Sequence, residues 1–404
     1  MKSLEIFSGA GGLAKGLENS GFQHAAFVEF NKHAYSSLCE NFNKESIFFG
    51  DIRDFNLDTL SEIDIVAGGP PCQPFSLGGK HKANQDSRDM FPYAINAIQR
   101  LEPKAFIFEN VKGLLRPSFS EYFEYIILRL SYPDSNKLDT EGWKDHLLQL
   151  RLLTKAKYIG AKYNVEYKLI NAADYGIPQT RERVVIVGIR SDINAAWSFP
   201  RKTHSEDRLL WEMFSSGEYW DRHHIPRKGR HHLPSQAGNK TNRLQSRYAL
   251  FDPSALAWQT VRDALAGVPD PQSNHSIIDH VFKDGARTYP GHTGSEYDWP
   301  SKTIKAGGHG VPGGENMIRY DDGTLRYYTV FEAKRIQTFP DDFVVKGAWG
   351  EAMRQIGNAV PVLLAEIIGK QLAATLVHST QFSREHMPCT TGPQTNTCLP
   401  HAHL

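Results

Sequence analysis

The chain has 404 residues, with 46 Lys and Arg against 45 Asp and Glu, and a formal net charge of +1. That length exceeds the size at which one hydrophobic core keeps growing, so two domains are expected, and the charge balance excludes a uniformly basic or acidic molecule. No run of about 18 apolar residues marks a membrane span, and with no basic region followed by a long apolar stretch at Met1 onward, a secretory leader is not expected. The four irregularly spaced cysteines (Cys39, Cys72, Cys389, Cys398) fit a reducing cytosol better than a disulfide framework.

Taken in chain order, the first 190 residues alternate short apolar runs with amphipathic ones. Leu4–Phe7, Ala25–Val28, Ile47–Phe49, Ile63–Ala67, Ala105–Phe108 and Val184–Ile189 read as strands. Leu13–Ser20, Lys32–Asn41, Phe91–Leu101 and Phe119–Leu130 read as helices, with apolar residues three and four apart. Such alternation predicts an α/β fold built on a doubly wound parallel sheet. From about Ala195 to Tyr328 the pattern breaks into Gly-, Pro-, His- and Arg-rich stretches, with Trp258–Leu265 the one long helix expected. Regular structure resumes at Phe331–Phe339 and in the apolar helix Val362–Leu376, and the polar tail from His378 reads as disordered. The resulting division is 1–194, a loop-rich second domain over 195–345, a segment over 346–378 that returns to the first domain, and a tail over 379–404.

The most informative stretch is Gly68 to Ser76, Gly-Gly-Pro-Pro-Cys-Gln-Pro-Phe-Ser. It puts Cys72 on a stiff loop at the carboxyl end of an apolar strand, where open α/β sheets bind ligands. Pro70 and Pro71 fix φ and preset the approach of the thiol. By itself the stretch fits a proline-rich turn with a buried cysteine as well as a nucleophile.

Three further constellations surround it. Phe7-Ser8-Gly9-Ala10-Gly11-Gly12 joins the first strand to the first helix, and Glu29 follows Gly9 by 20 residues at the end of the second strand. Glycines there allow a tight turn and close approach to a ligand, and an acid at that spacing can bind ribose hydroxyls. Asp51 follows the third strand and can accept from an adenine amino group. No basic residue lies in the loop, which favours a nucleoside without a charged phosphate linkage over a di- or triphosphate. Glu109, ending Ala105–Phe108, reads either as a solvated carboxylate or, beside a thiol nucleophile, as a general acid. Gln179-Thr180-Arg181-Glu182-Arg183 places two arginines on one side of a strand entry, either an exposed salt-bridged pair or two guanidiniums aimed into the cleft. Gln355-Ile356-Gly357-Asn358-Ala359-Val360-Pro361 reads as a helix start.

Metal chemistry is not indicated: there is no Cys-x-x-Cys pair and no His-Glu-x-x-His run. His223-His224 and His231-His232 fit either a metal site or a solvated basic loop. Between Arg201 and Arg247 ten Lys and Arg face five Asp and Glu, a local excess of five positive charges that suits a polyanion or a solvated loop.

Pro-Pro-Cys-Gln-Pro-Phe-Ser, Glu-Asn-Val, Gln-Thr-Arg-Glu-Arg and Gly-Asn-Ala-Val-Pro, in this order, resemble the signatures of the DNA (cytosine-5) methyltransferases. The resemblance runs from about Leu4 to Val377, excluding the stretch near Ala195–Tyr297. Phe331–Pro340 is similar to that family's ninth motif in position only. The resemblance implies a Rossmann-like S-adenosylmethionine domain plus a smaller target-recognition domain. It also implies a sequence-specific enzyme, of bacterial restriction-modification type, acting on double-stranded DNA. Such an enzyme would be a cytoplasmic monomer, associated with the nucleoid through DNA and paired functionally with a restriction endonuclease, with no membrane partner.

Roles follow position by position from the resemblance. Phe7 would stack on the cofactor adenine, Glu29 would bind its ribose and Asp51 its amino group. Gly9, Gly11, Gly12, Ile52 and Pro71 would line the cofactor, and Asn358 would brace that side. Cys72 would be the nucleophile, Glu109 would meet cytosine N3 and the exocyclic amine, Arg181 the carbonyl O2, and Arg183 would support the pocket. Ser76, Lys80, Lys82 and Arg88 would meet DNA from a loop, Gly78–Arg88, that closes over an extruded nucleotide. Thr303 and Ile304, in the expected groove-facing loop Pro300–Gly314, look like the recognition domain's threonine-aliphatic pair. Amino-directed methyltransferases place an aromatic after Pro-Pro; a thiol there argues for carbon methylation. The alternatives are a transfer-RNA cytosine-5 methyltransferase, whose Cys-Phe-Thr element is absent, and a catalytically silent DNA-binding protein.

Overall fold

The computed structural model describes residues 1–71, 89–138, 141–155, 158, 160–193, 195–230, 244, 246, 248, 253–288, 290, 293–306 and 316–385, with side chains to Val377. At its centre is a seven-stranded sheet of β1 (Lys2–Ile6), β2 (Gln23–Glu29), β3 (Ile47–Phe49), β4 (Ile65–Gly68), β5 (Ala105–Val111), β6 (Tyr163–Asn171) and β8 (Glu182–Arg190), in the order β3-β2-β1-β4-β5-β8-β6. β1 to β5 are parallel, whereas β8 runs antiparallel to both β5 and β6. The sheet is therefore mostly parallel rather than wholly so.

Period-two alternation sorts the side chains onto two faces. Leu4, Ile6, Val66, Phe106, Phe108, Val184 and Ile186 face α3 (Phe91–Leu101) and α4 (Ser120–Ser131). Ile65, Ala67, Ala105, Ile107, Val185, Val187 and Ile189 face α1 (Gly12–Asn19) and the last helix, Val362–Glu385. All six expected strands are present. β6 escapes sequence reading because it is an edge strand of mixed character, with only Tyr163 and Ile170 buried along Tyr-Asn-Val-Glu-Tyr-Lys-Leu-Ile-Asn.

The strand order reverses direction between β1 and β4, so the carboxyl ends of these neighbours open a crevice. The glycine loop leaves β1 there, and Gly69-Pro70-Pro71 leaves β4 beside it. Gly11 has φ +88, and an added Cβ would lie 2.7 Å from the Phe42 ring, so only glycine fits this turn.

The region after β8 is loop-rich as expected, but its described residues include two helices that its composition hid. Glu206–Trp211 and Glu218–Arg222 bury Leu209, Leu210, Tyr219 and Trp220. The helix expected over Trp258–Leu265 shrinks to Val261–Ala264, started by a Thr260–Asp263 capping box. A further core joins Ile304, Ile318, Tyr328, Ile336, Phe339, Met353 and Ile356. The stretch Gln355–Pro361, read as a helix start, leads into the last helix as expected, with Ala365 N donating to the Pro361 carbonyl, but its first four residues also end the preceding helix Trp349–Asn358. That last helix continues past His378 to Glu385, where a disordered tail was expected. It packs along α1, where Gly16 leaves no room for a side chain against Ala365, and Asn19 Nδ2 donates to Glu366 Oε2 at 3.0 Å. Its stretch with Trp349–Asn358 is long and apolar enough to cross a bilayer, but half of its apolar window is buried inside the fold.

Candidate active site at the carboxyl edge of the sheet

On the β1–β2 side the chain is tightly turned. Phe7, Gly9 and Gly11 all have positive φ, and Ser8 Oγ ties the turn down by donating to the Glu5 carbonyl at 2.9 Å. Gly12 opens α1 against the Val360 carbonyl and the Ala359 side chain. Glu29 sits beneath the loop, 6% exposed, and accepts from Gly9 N and Asn31 N, each at 2.7 Å. Burial pushes its carboxyl above the usual range, against the opposing pull of those backbone donors and of Arg354. Phe7 is half-buried against the core below it.

Asp51 is held by its neighbour. Arg53 donates from Nε at 2.8 Å and from Nη2 at 2.6 Å, and the Arg53 hydrogen bond is what lowers the Asp51 pKa. The carboxylate keeps lone pairs for a further donor. Ile52 is buried beside it. The residue sequence reading missed is Phe30, a large apolar side chain 66% exposed directly after Glu29. Its signal was an aromatic outside the apolar strand pattern, at a strand's carboxyl end.

On the β4–β5 side, Asn110 Nδ2 donates to the Pro70 carbonyl at 2.9 Å and Met90 N donates to the Pro71 carbonyl at 3.1 Å. Both ends of the Pro-Pro step are therefore fixed. Beyond Met90, Asp89 accepts from the Tyr122 hydroxyl. Gly69 passes Glu109 so closely that an added Cβ would lie 3.7 Å from its Oε2. Cys72, Ser76, Lys80, Lys82 and Arg88, with the loop Gly78–Arg88, lie outside the described residues.

Glu109 and Arg183 form a buried ion pair, Oε1 to Nε at 2.7 Å, with side chains 12% and 13% exposed. The antiparallel register explains it. Val111 faces Arg183 across the ladder, so Glu109, two residues earlier, shares that face. The contact lacks hydrogen-bond alignment and leaves Oε1 without an aligned donor.

Arg181 goes elsewhere. It is fully buried and donates to three carbonyls, Ile304 at 3.3 Å, Gly357 at 2.7 Å and Ala359 at 3.0 Å, while its Nε has no acceptor. Burial, reinforced by Arg183 nearby, holds its pKa well below the ordinary arginine value. The expectation that both arginines point together into the cleft is corrected: Arg181 precedes β8, outside the ladder that aims Arg183.

The recognition-side residues divide too. Thr303 Oγ1 donates to the Thr180 carbonyl at 2.9 Å, and Ile304, expected on a groove-facing loop, is fully buried in the core around Tyr328 and Ile356. Its apolar side chain seals a joint and does not reach solvent. Asn358 is exposed at the end of its helix, between Gly357 and Ala359, two of the three residues whose carbonyls Arg181 holds. Several basic residues of the 201–247 stretch are paired with acids: Arg208 and Arg222 with Glu212, and Arg230 with Asp221. His223 meets Asp263 at 2.8 Å.

The family model for C-5 cytosine-specific DNA methylase matches residues 1–132 and 147–374. Type II methyltransferase M.NgoMIV of Neisseria gonorrhoeae is 30% identical over 378 residues, covering 93% of this chain and 97% of that protein. Type II methyltransferase M.FnuDI of Fusobacterium nucleatum is 29% identical over 405 residues, covering 95% and 98%. The fold matches the S. pombe Dnmt2 methyltransferase with a TM-score of 0.55 at 16% identity, over 95% of this chain and 100% of that one. It also matches the Entamoeba histolytica methyltransferase EhMeth with a TM-score of 0.52 at 16% identity, over 94% and 98%. A match across nearly the whole sheet and both flanking regions leaves one assignment: the chain belongs to the C-5 cytosine-specific DNA methylase family.

Proposed function

We propose that this protein methylates C5 of a cytosine extruded from duplex DNA, at a specific sequence, through a transient Cys72 adduct. The observation that carries the reading is the Glu109–Arg183 pair beside Gly69, with Asn110 holding the Pro70 carbonyl two residues before Cys72 in the sequence. In this reading Arg183 replaces Arg181 as the partner of the pyrimidine carbonyl O2, because Arg183 stands beside Glu109 and the Arg181 guanidinium is spent on backbone carbonyls.

Enzymes of this family use S-adenosylmethionine, and the residues at the carboxyl ends of β1 to β4 fit it. Glu29 offers a buried carboxylate for ribose hydroxyls, Phe7 and the exposed Phe30 offer rings for the adenine, Asp51 keeps acceptor capacity for its amino group, and Ile52 and Pro71 supply apolar contact. When bound, that cofactor supplies the electrophilic methyl group.

The chain's own residues make cytosine reactive. The Cys72 thiolate adds to C6, forming a C–S bond and shifting the C5–C6 electron pair toward N3. Glu109 shares a proton at N3, and Arg183 faces O2, so the developing charge is neutralised. C5 then carries the electron density needed to take the methyl group. Loss of the C5 proton to a base restores the double bond and expels Cys72. Extrusion of the base costs a few kcal/mol, which protein–DNA contacts must offset.

The same reading gives 1–194 and 346–378 to catalysis and 195–345 to DNA reading, with Lys80, Lys82, Arg88, Ser76 and Thr303 as DNA contacts. It pairs the enzyme with a cognate restriction endonuclease, as the Type II names of its relatives suggest. The test is transfer of a labelled methyl group to duplex DNA and to transfer RNA, with Cys72→Ser as control and a 5-fluorocytosine duplex as trap. Transfer to duplex, a covalent trap and a dead serine variant are expected. Transfer to RNA alone, or a fully active serine variant, removes the reading.

A further inference from the structure

Four stretches of the chain, 179–181, Ile304, Gln337 and 356–359, meet at one buried polar joint. Gln179 comes from the short strand β7 (Gln179–Thr180), which pairs with the strand Ser301–Lys302. Gln337 caps the helix Val330–Ile336, and Arg181 lies between β7 and β8. All three side chains are fully buried. Gln337 Nε2 donates to the Ile356 carbonyl at 2.7 Å and to the Ala359 carbonyl at 3.3 Å, and its Oε1 accepts from Gln179 Nε2 at 3.3 Å. Gln179 Oε1 accepts from Ile304 N at 3.1 Å, while the Ile304 carbonyl accepts from Arg181. Both polar groups of the Ile304 residue are thus held from the catalytic strand's approach, and Gln337 and Arg181 share the Ala359 carbonyl.

Carbonyls at a helix end need partners when buried, and water or a glycine cap supplies them in most helices. Here the carbonyls of Ile356, Gly357 and Ala359 accept from Arg181, in the linker after β7, and from Gln337, at the end of a distant helix. A cap alone needs no contact between Gln337 and Gln179. That contact joins the cap to the strand whose continuation carries Arg183 to Glu109.

We propose that Gln337 is a positioning residue for methyl transfer. Through Gln179 and the shared Ala359 carbonyl it fixes the β7–β8 linker and the Thr303–Ile304 segment as one unit. The base pocket and the DNA-reading segment are thereby held in register. This inference rests on the proposed role of Glu109 and Arg183 and adds a residue to it.

The test uses the full chain with Gln337→Met, Gln337→Glu, Gln179→Met and the Gln179→Met/Gln337→Met double variant. Methionine keeps the volume and removes both polar atoms. Glutamate keeps the volume and an acceptor but has no donor for the two carbonyls. Measurements are kcat and KM on target duplex and the cofactor dissociation constant. Gln337→Met should lose about 10- to 100-fold in kcat, with KM for DNA within about threefold and cofactor affinity within about twofold, as misplacement of a reacting group predicts. Gln337→Glu should lose kcat as well, and the double variant should be less impaired than the product of the two single effects, because they act through one network. If Gln337→Met fails to fold, Gln337→Glu and Gln179→Met carry the same expectation.

Wild-type kcat in the folded Gln337 variants, or a loss of kcat matched by an equal loss of cofactor affinity, overturns the proposal. A wild-type chain with no transfer to any duplex would remove the proposed function itself, whereas an active wild type with indifferent Gln337 variants removes only this inference.

Discussion

Asn110 donates from Nδ2 to the Pro70 carbonyl at 2.9 Å, so a residue of β5 holds the backbone at the exit of β4. Its Oδ1 meanwhile accepts from Val111 N at 2.9 Å, and the side chain is 6% exposed. One amide therefore fixes the step before the thiol and the strand end after Glu109. Asn110→Leu removes both hydrogen bonds and leaves a buried carbonyl unpaired, which costs about 1–3 kcal/mol. The expected result is a lower melting temperature and a kcat loss of about 100-fold, since a 1 Å misplacement suffices for that. Cofactor affinity, measured by titration, should change far less, because Glu29 and Phe30 are untouched.

Arg181 and Arg183 should respond differently to the same substitution. Arg183→Lys keeps a charge near Glu109 but loses the planar guanidinium, so kcat should fall by about 10²–10⁴ while the melting temperature stays close to wild type. Arg181→Lys cannot reach three carbonyls at once, and its loss should read mainly as a lower melting temperature. Kinetics alongside thermal unfolding decide between them. A larger catalytic defect in a stable Arg181→Lys protein would restore the original assignment of Arg181 to the base.

The contrast between these arginines shows how far the sequence could be read. Spacing of i and i+2 predicts one side only while both residues lie in a strand. Arg183 does, and it lands beside Glu109. Arg181 falls in the linker after β7, where Gly357 and Ala359, more than 170 residues on, decide its direction. Glu29 and Asp51 could be read because short strands end where their apolar runs end, and loops at those ends face the crevice. Ile304 and Gln337 could not, because their surroundings are assembled from distant segments and leave no local period. β6 stayed hidden for a different reason: as an edge strand it buries too little to write an alternating pattern.

Glu29 should make cofactor binding sensitive to acid. Its folded pKa is raised, chiefly by burial. The carboxyl therefore contributes stability that is present below its unfolded pKa and lost as pH rises through the folded one. Ribose hydroxyls need the ionised form as acceptor, so cofactor affinity should weaken on acidification at a pH above the usual carboxylate range. Glu29→Ala should weaken binding by about 10- to 100-fold, as expected for hydrogen bonds to a charged group, and abolish that pH dependence. Calorimetric titration across mildly acidic pH tests both statements.

Phe30 gives the cleanest separation of binding from folding. Its ring is 66% exposed, unlike the apolar residues before it in β2, so its removal takes almost nothing from the core. A ring held free beside Glu29 is suited to stack on a planar base, and such stacking is worth about 1–3 kcal/mol by alanine substitution. Phe30→Ala should therefore keep the wild-type melting temperature and weaken the cofactor by about 5- to 150-fold. Phe30→Trp, which offers a larger face, should retain wild-type affinity or exceed it. Equal affinities for the alanine and wild-type proteins would show that the adenine lies away from this ring.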